Sequence, residues 1–265
     1  PGIAGEIDPH DFVIEAERFG VPQGRHRVIL FGIRSDVAQS VSALSLSPDS
    51  FTLGTENRPV NVGEALSGLP PLRSRLSREP DGHEQWLAAL DEALEELRWH
   101  QSPNLKDTIE EMRRATIDAR RHPSPGARFQ TSDGNTLRMR ERIRDWYIDE
   151  RLGGVIQHET RSHMRSDLHR YLFAAAYAKV NGESPKVTEF PTPLLPNHDN
   201  VLSETVPFVD RFRVQLKDSH SSTVVAHIAK DGHYFIHFDP SQCRSLTVRE
   251  AARLQGFQDN YFFAG

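Results

Sequence analysis

The stretch Val28-Ile29-Leu30-Phe31-Gly32-Ile33 is an uninterrupted apolar run of strand length, and it constrains the fold more than any other feature. A run without polar alternation suits a strand buried on both faces, as in an α/β sheet, and not a strand with one wet side. Val13, Ile14 and Ala16 precede it, across the turn-forming Gly20-Val21-Pro22-Gln23-Gly24, so the segment reads strand, turn, strand. One strand pair cannot bury its own faces. The sheet must be completed by residues outside this chain or by its far C-terminal end.

Downstream the pattern turns helical. Residues 35–82 are rich in Ser, Pro, Gly and Asp and read as connecting structure with a short helix over Val62–Leu66. Trp86, Leu90, Leu94 and Leu97 fall at helical spacing, as do Leu105, Ile109, Met112 and Thr116; Ile143, Trp146 and Tyr147 mark a third helix. Met164, Leu168, Leu172 and Ala175 mark a fourth that stops at Asn181-Gly182, so residues 101–182 are expected to be largely helical. Recurrent prolines make 185–200 extended or looped. Alternation at Phe212, Val214 and Leu216, and again at Tyr234, Ile236 and Phe238, predicts strands with a hairpin turn at Lys230-Asp231-Gly232.

A chain of 265 residues can hold one large domain or two ordinary ones. No apolar run approaches the ~20 residues that span a bilayer, and no signal-peptide pattern opens the chain, which gives a cytoplasmic reading. The chain opens at Pro1 and stops at Gly265 without a terminal cap, so both ends read as cut boundaries. The single cysteine, Cys243, excludes an internal disulfide framework and a zinc cluster of several thiolates, so no metal is expected. The net charge of −5 hides a gradient: residues 101–170 carry 14 basic against 11 acidic side chains, and all but one of those 14, Lys106, are arginines. Arginine's planar fork suits phosphates and guanine edges, while a solvated helix face explains the same pattern without a ligand.

Two stretches say more. In Phe19-Gly20-Val21-Pro22-Gln23-Gly24-Arg25-His26-Arg27-Val28, the residues Gln23, Arg25 and Arg27 alternate, which on an extended strand puts them on one face. An amide beside two guanidinium groups suits a base edge or a phosphate; a strand-end ion-pair cluster would look the same. In Arg244-Ser245-Leu246-Thr247-Val248-Arg249-Glu250-Ala251-Ala252-Arg253-Leu254-Gln255-Gly256-Phe257, Thr247 and Glu250 form a capping box that starts a helix. This second stretch closely resembles the ninth of the ten motifs of bacterial cytosine-5 DNA methyltransferases, and the Gly-Val-Pro-Gln-x-Arg-x-Arg stretch resembles the eighth. Phe208–Gln215 and Thr223–His237 also resemble one bacterial branch of that family.

The resemblance implies an α/β fold in three parts. Residues 1–67 would supply the last strands of a partial Rossmann-like, S-adenosylmethionine-dependent methyltransferase sheet. Residues 68–225 would form a largely helical α+β target-recognition domain that reads double-stranded DNA, and residues 226–265 would return to the catalytic lobe. Family members flip the target cytosine out of the duplex, attack its C6 with a Pro-Cys cysteine and methylate C5. By this resemblance Arg27 and Arg25 would contact the flipped cytosine's O2 and the adjacent phosphate, with Gln23 ordering the site. Arg244, Thr247, Arg249, Glu250 and Arg253 would be structural.

The departures bear equally on function. No Pro-Cys pair occurs: Cys243 lies between Gln242 and Arg244 and is expected to be structural. Glu56-Asn57-Arg58 follows the eighth motif and lacks the family's valine, so it reads as a loop; the Phe-x-Gly-x-Gly donor loop and the tenth motif are absent. The intact enzyme would use S-adenosylmethionine, but this chain alone is expected to lack the donor site, the nucleophile and the N-terminal catalytic portion, and to be inactive. His233 and His237, four apart on a predicted strand, would lie roughly 13 Å apart at ~3.3 Å per residue, too far for direct shared ligation, so His227, His233 and His237 read as structural. Arg138, Arg140, Arg142 and Arg144 are candidates for the DNA backbone. Two alternatives stand beside this reading: a DNA-binding subunit of a split methyltransferase or a non-catalytic DNA-binding remnant, and a helical protein-interaction domain indifferent to DNA.

Overall fold

A computed structural model describes residues 12–30, 32–37, 54–55, 58–99, 102–132, 139–196, 210–230 and 232–264. Glu56, Asn57, Arg138 and Asp231, on which expectations fell, lie outside the described residues. The elements run β1 (Val13–Glu15), β2 (His26–Val28), α1 (Val62–Ala65), β3 (Arg75–Leu76), α2 (His83–Glu96), α3 (Lys106–Ala119), β4 (Gly126–Thr131), α4 (Glu141–Tyr147), β5 (Gly154–Glu159), β6 (Ser162–His163), α5 (Arg165–Asn181) and α6 (Val248–Leu254).

Two clusters of buried side chains hold these elements. In the first, α5 packs against α2 and α3 on one side and against Phe190, Phe212 and Ile236 on the other. That explains why every residue from Asp167 to Ala178 except Arg170 is buried, and why α5 shows no strongly one-sided apolar stripe. Gly182 ends the helix in the left-handed conformation, φ 74°, that glycine adopts without a Cβ clash. The second cluster gathers Val60, Val62, Ala65 and Leu66 around α1, Ile143 and Tyr147 of α4, Val224, Phe235 and Leu246, and Ala251 and Leu254 of α6. It therefore joins residues from the beginning, middle and end of the chain.

The sheets among the described residues are small. β1 and β2 pair antiparallel, β3 and β6 parallel, and β4 and β5 antiparallel from Gly126↔Glu159 to Thr131↔Gly154. Two expectations are corrected and one, the largely helical 101–182, holds with an addition. The apolar run is not a doubly buried strand: β2 ends at Val28, and Val28, Ile29 and Leu30 are 55%, 62% and 93% exposed because, among the described residues, neither a third strand nor a layer covers this two-stranded sheet. Residues 101–182 include β4 and β5 besides helices. The hairpin turn expected at Lys230-Asp231-Gly232 includes Asp231, outside the described residues, and what precedes it is a single 3-10 turn, Ala226–Ala229, where a strand was expected. Val214 and Ile236 are bridged in parallel, through Gln215 N to Ile236 O (2.9 Å) and Ile236 N to Arg213 O (3.0 Å), and a tight turn cannot join parallel partners. Among the described residues no helix is long and apolar enough to cross a membrane.

Candidate nucleic-acid interface

The turn at Val21–Gly24 is folded onto the stretch Ser219–Val224 mostly by its backbone. Ser221 N donates to Pro22 O (3.0 Å), Gly24 N to Ser221 O (2.8 Å), and the Thr223 hydroxyl to Gly24 O (2.6 Å). The His220 ring lies over this turn, so that a Cβ on Gly24 would stand 2.9 Å from it. Gln23 is the one side chain of the turn that reaches across. Its Oε1 accepts from Val224 N (2.7 Å) and its Nε2 donates to Leu254 O (3.3 Å) at the end of α6. With 1% exposure it satisfies two backbone groups that the packing removes from water. The eighth-motif turn and the ninth-motif helix are thereby tied to each other.

Arg25 and Arg27 do not share that buried position. Only His26–Val28 pair with β1, while Gln23 bridges Ser221, so the single-face alternation breaks at Gly24. Arg25 is half-buried and its guanidinium makes no hydrogen bond or ion pair among the described residues. Arg27 is exposed, and its Nη1 donates to His26 O (2.6 Å). Beside them Glu17 accepts from His26 (2.8 Å); burial would raise its carboxyl, but His26 and nearby His220 hold it below the usual value.

The ninth-motif side chains form a buried ionic frame. Thr247 caps α6 by accepting from Glu250 N (3.2 Å), and Glu250 accepts in return from Thr247 N (2.7 Å), which is the capping box read in the sequence. Arg244 clamps both Glu250 oxygens at 2.7 Å and also donates to Gln242 and to Leu72 O. Burial alone would raise the Glu250 carboxyl, yet Arg244 holds it well below the ordinary range. Arg253 clamps Asp259 (2.9 and 2.6 Å) and donates to Ala65 O and Ser67 O, fastening α6 to α1. Arg249 spends its donors on the carbonyls of Ile156, Gln258 and Tyr261. All three guanidinium groups are committed inside the molecule.

Three buried histidines line this frame. His158 bonds Thr247 Oγ1 (3.0 Å) and Pro70 O (2.8 Å), His163 bonds Ser245 Oγ (3.0 Å), and His237 accepts from Asp239 N (3.1 Å). Burial pushes the first and third down to about 4 and His163 to about 3, helped for His237 by Arg244. His233 meets the Tyr171 hydroxyl (2.8 Å) and His227 is exposed; among the described residues no group of three His, Cys, Asp or Glu side chains could hold a metal ion. Cys243 is buried with its Sγ 3.2 Å from Leu168 O, and burial pushes the thiol up.

The arginines at 140 and 144 are already neutralised. Arg140 grips Glu64 through Nε (2.7 Å) and Nη2 (3.2 Å) and donates to Arg58 O, while Arg144 pairs with Asp145 (3.1 Å) and Arg142 is exposed on the same short helix. Sequence reasoning missed Ser221, Thr223 and Val224 as partners of the turn. Only the Thr223–His237 resemblance touched the last two, and contacts some 200 residues apart leave no local signal.

The chain belongs to the C-5 cytosine-specific DNA methylase family, whose model matches residues 9–265. Members act on DNA and generally use S-adenosylmethionine. It is 32% identical over 255 residues to the type II methyltransferase M.Bpa9945I of Bacillus paralicheniformis, a match covering 96% of this chain and 44% of that protein. It is 28% identical over 276 residues to the type II methyltransferase M.AgeI of Thalassovita gelatinovora, covering 95% and 58%. The chain thus spans about half the length of these relatives. No solved structure matches it.

Proposed function

We propose that this chain is the DNA-recognising, C-terminal part of a cytosine-5 DNA methyltransferase that modifies a short specific site in duplex DNA. In this reading residues 1–67 complete a Rossmann-like sheet, 68–225 form the target-recognition domain and 226–265 return to the catalytic lobe. The observation that carries it is the Gln23 amide, which joins Val224 N to Leu254 O and so fixes the Arg25–Arg27 segment against the recognition stretch. The open Arg25 fork is then free to bind the flipped cytosine's O2 or its phosphate. A fixed positive charge there would stabilise the electron-rich ring formed after nucleophilic attack. Gln23 acts through position, and Arg244, Thr247, Arg249, Glu250 and Arg253 act as braces.

With no Pro-Cys nucleophile and Cys243 enclosed and protonated, this chain by itself transfers no methyl group. Incubation with labelled S-adenosylmethionine and mixed-sequence duplex is expected to leave label at the buffer level, and incorporation above that level contradicts the assignment. A second reading, a DNA-binding subunit of a split enzyme, rests on the same bare apolar edge Val28–Leu30, which a partner chain would cover in place of the same polypeptide. The encoding locus separates them: one continuous frame with Pro-Cys supports a single enzyme, and a separate partner frame supports the split form.

A further inference from the structure

We infer that the Leu216–Ser219 turn and the residue that follows it form a contact strip for the DNA backbone, in which Lys217 and His220 meet phosphates beside Arg25. This inference rests on the reading of the chain as a DNA-recognising unit. It assigns the backbone contact to a different surface from the arginine cluster at 140–144.

The segment is held by its backbone and leaves its side chains unspent. Gly63 N donates to Lys217 O (2.8 Å), Val62 N to Ser219 O (2.9 Å) and Ser219 N to Leu216 O (3.3 Å), and the next residue, Ser221, is fixed to Pro22 and Gly24. Lys217, Asp218, Ser219 and His220 are all exposed. The Lys217 ammonium makes no hydrogen bond or ion pair among the described residues. His220 makes no hydrogen bond there either, and senses the Glu17 carboxylate that His26 already occupies.

Two glycines make room for these two side chains. A Cβ on Gly63 would stand 2.7 Å from Lys217 Cγ and 3.1 Å from Lys217 O; one on Gly24 would stand 2.9 Å from the His220 ring. A lysine and a histidine are thus laid against the surface on a fixed backbone, next to the turn that carries the unpaired Arg25. A rigid backbone loses little freedom on binding, and an unpaired ammonium need not break an internal ion pair to reach a phosphate. By contrast, Arg140 would have to leave Glu64 and Arg144 would have to leave Asp145. Asp218 is the one exposed carboxylate on the segment, and it opposes any anion centred there, so the contact is expected on the flanking Lys217 and His220. An imidazole N–H donates to a phosphate oxygen in either protonation state.

The test is the salt dependence of binding to a mixed-sequence duplex of about 30 base pairs, read by fluorescence anisotropy for the unsubstituted chain and for Lys217→Gln, His220→Gln and Arg144→Gln, with thermal melting to confirm that each variant folds. Lys217→Gln is expected to reduce the magnitude of the log–log salt slope by about 0.9, one phosphate contact. His220→Gln is expected to weaken binding by about 2- to 10-fold at fixed salt, and Arg144→Gln to leave the slope as it was. Binding with the same slope and affinity in Lys217→Gln and His220→Gln overturns the strip while leaving the DNA-recognition reading intact. No binding by the unsubstituted chain overturns both.

Discussion

Glu250 is where the closing helix is most exposed to damage. Its carboxylate receives two bonds from Arg244 and one from Thr247 N with 1% exposure, and its loss would leave a buried guanidinium without a counter-charge. Breaking one side of such a pair costs about 3–5 kcal/mol, whereas replacing both sides with apolar groups often costs little. Glu250→Ala should therefore lower stability to urea by about that amount, while Arg244→Met combined with Glu250→Leu should recover most of it; equal losses in the two would show that the ion pair is not the source. Acid should act on the same frame. His158, His163 and His237 are neutral in the fold with values near 4, 3 and 4, against about 6.5 when unfolded. Between those values the unfolded chain holds more protons, so the stability is complete above about pH 6.5 and is lost as pH falls toward about 4. The depressed Glu250 carboxyl adds a further loss below its unfolded value near 4.5. The urea midpoint should fall steadily from pH 7 to 5, less so in His237→Gln, and a flat profile contradicts the buried-neutral assignment.

At the scale of elements, the helices were legible where burial repeats at helical spacing. Trp86 and Leu90, Ile109 and Met112, and Leu168 and Leu172 are all buried on helices close to the expected bounds. β4 was not legible, because Gly126-Ala-Arg-Phe-Gln-Thr lacks a run of β-branched residues and even Phe129 is half exposed. The alternation at Phe212, Val214 and Ile236 did report burial, but it serves isolated bridges, Val214 to Ile236 in parallel and Ile236 to Ser245 antiparallel, and nothing local encodes the direction in which two segments meet. At the site, the sequence singled out Gln23 and the capping box; that Gln23 ends on Leu254 O depends on a contact 231 residues away. The β1–β2 element carries its own prediction. Leu30 is 93% exposed, so Leu30→Glu should change stability by less than about 0.5 kcal/mol. It should also reduce binding of an apolar dye, and a large loss of stability would mean that this edge is covered.

Across the whole molecule, the two buried clusters divide the work. The α2–α3–α5 cluster is a helical body, and the second cluster is a joint where α1, α4, Val224 and α6 meet under the Gln23 turn. The arginines of the closing helix and of residue 140 are matched by carboxylates, Arg244 on Glu250, Arg253 on Asp259 and Arg140 on Glu64, so they add little local field for a DNA partner. Among the described residues, the side chains beside the turn that make no hydrogen bond or ion pair include two cations, Arg25 and Lys217, against the single exposed carboxylate of Asp218. The most direct measurement of this account is titration of the chain into a labelled duplex between about 50 and 200 mM salt. It predicts saturable binding whose log affinity falls linearly with log salt, with a slope of about −2 to −4 for two to four phosphate contacts. Absence of binding at the lowest salt, or an affinity indifferent to salt, would contradict it.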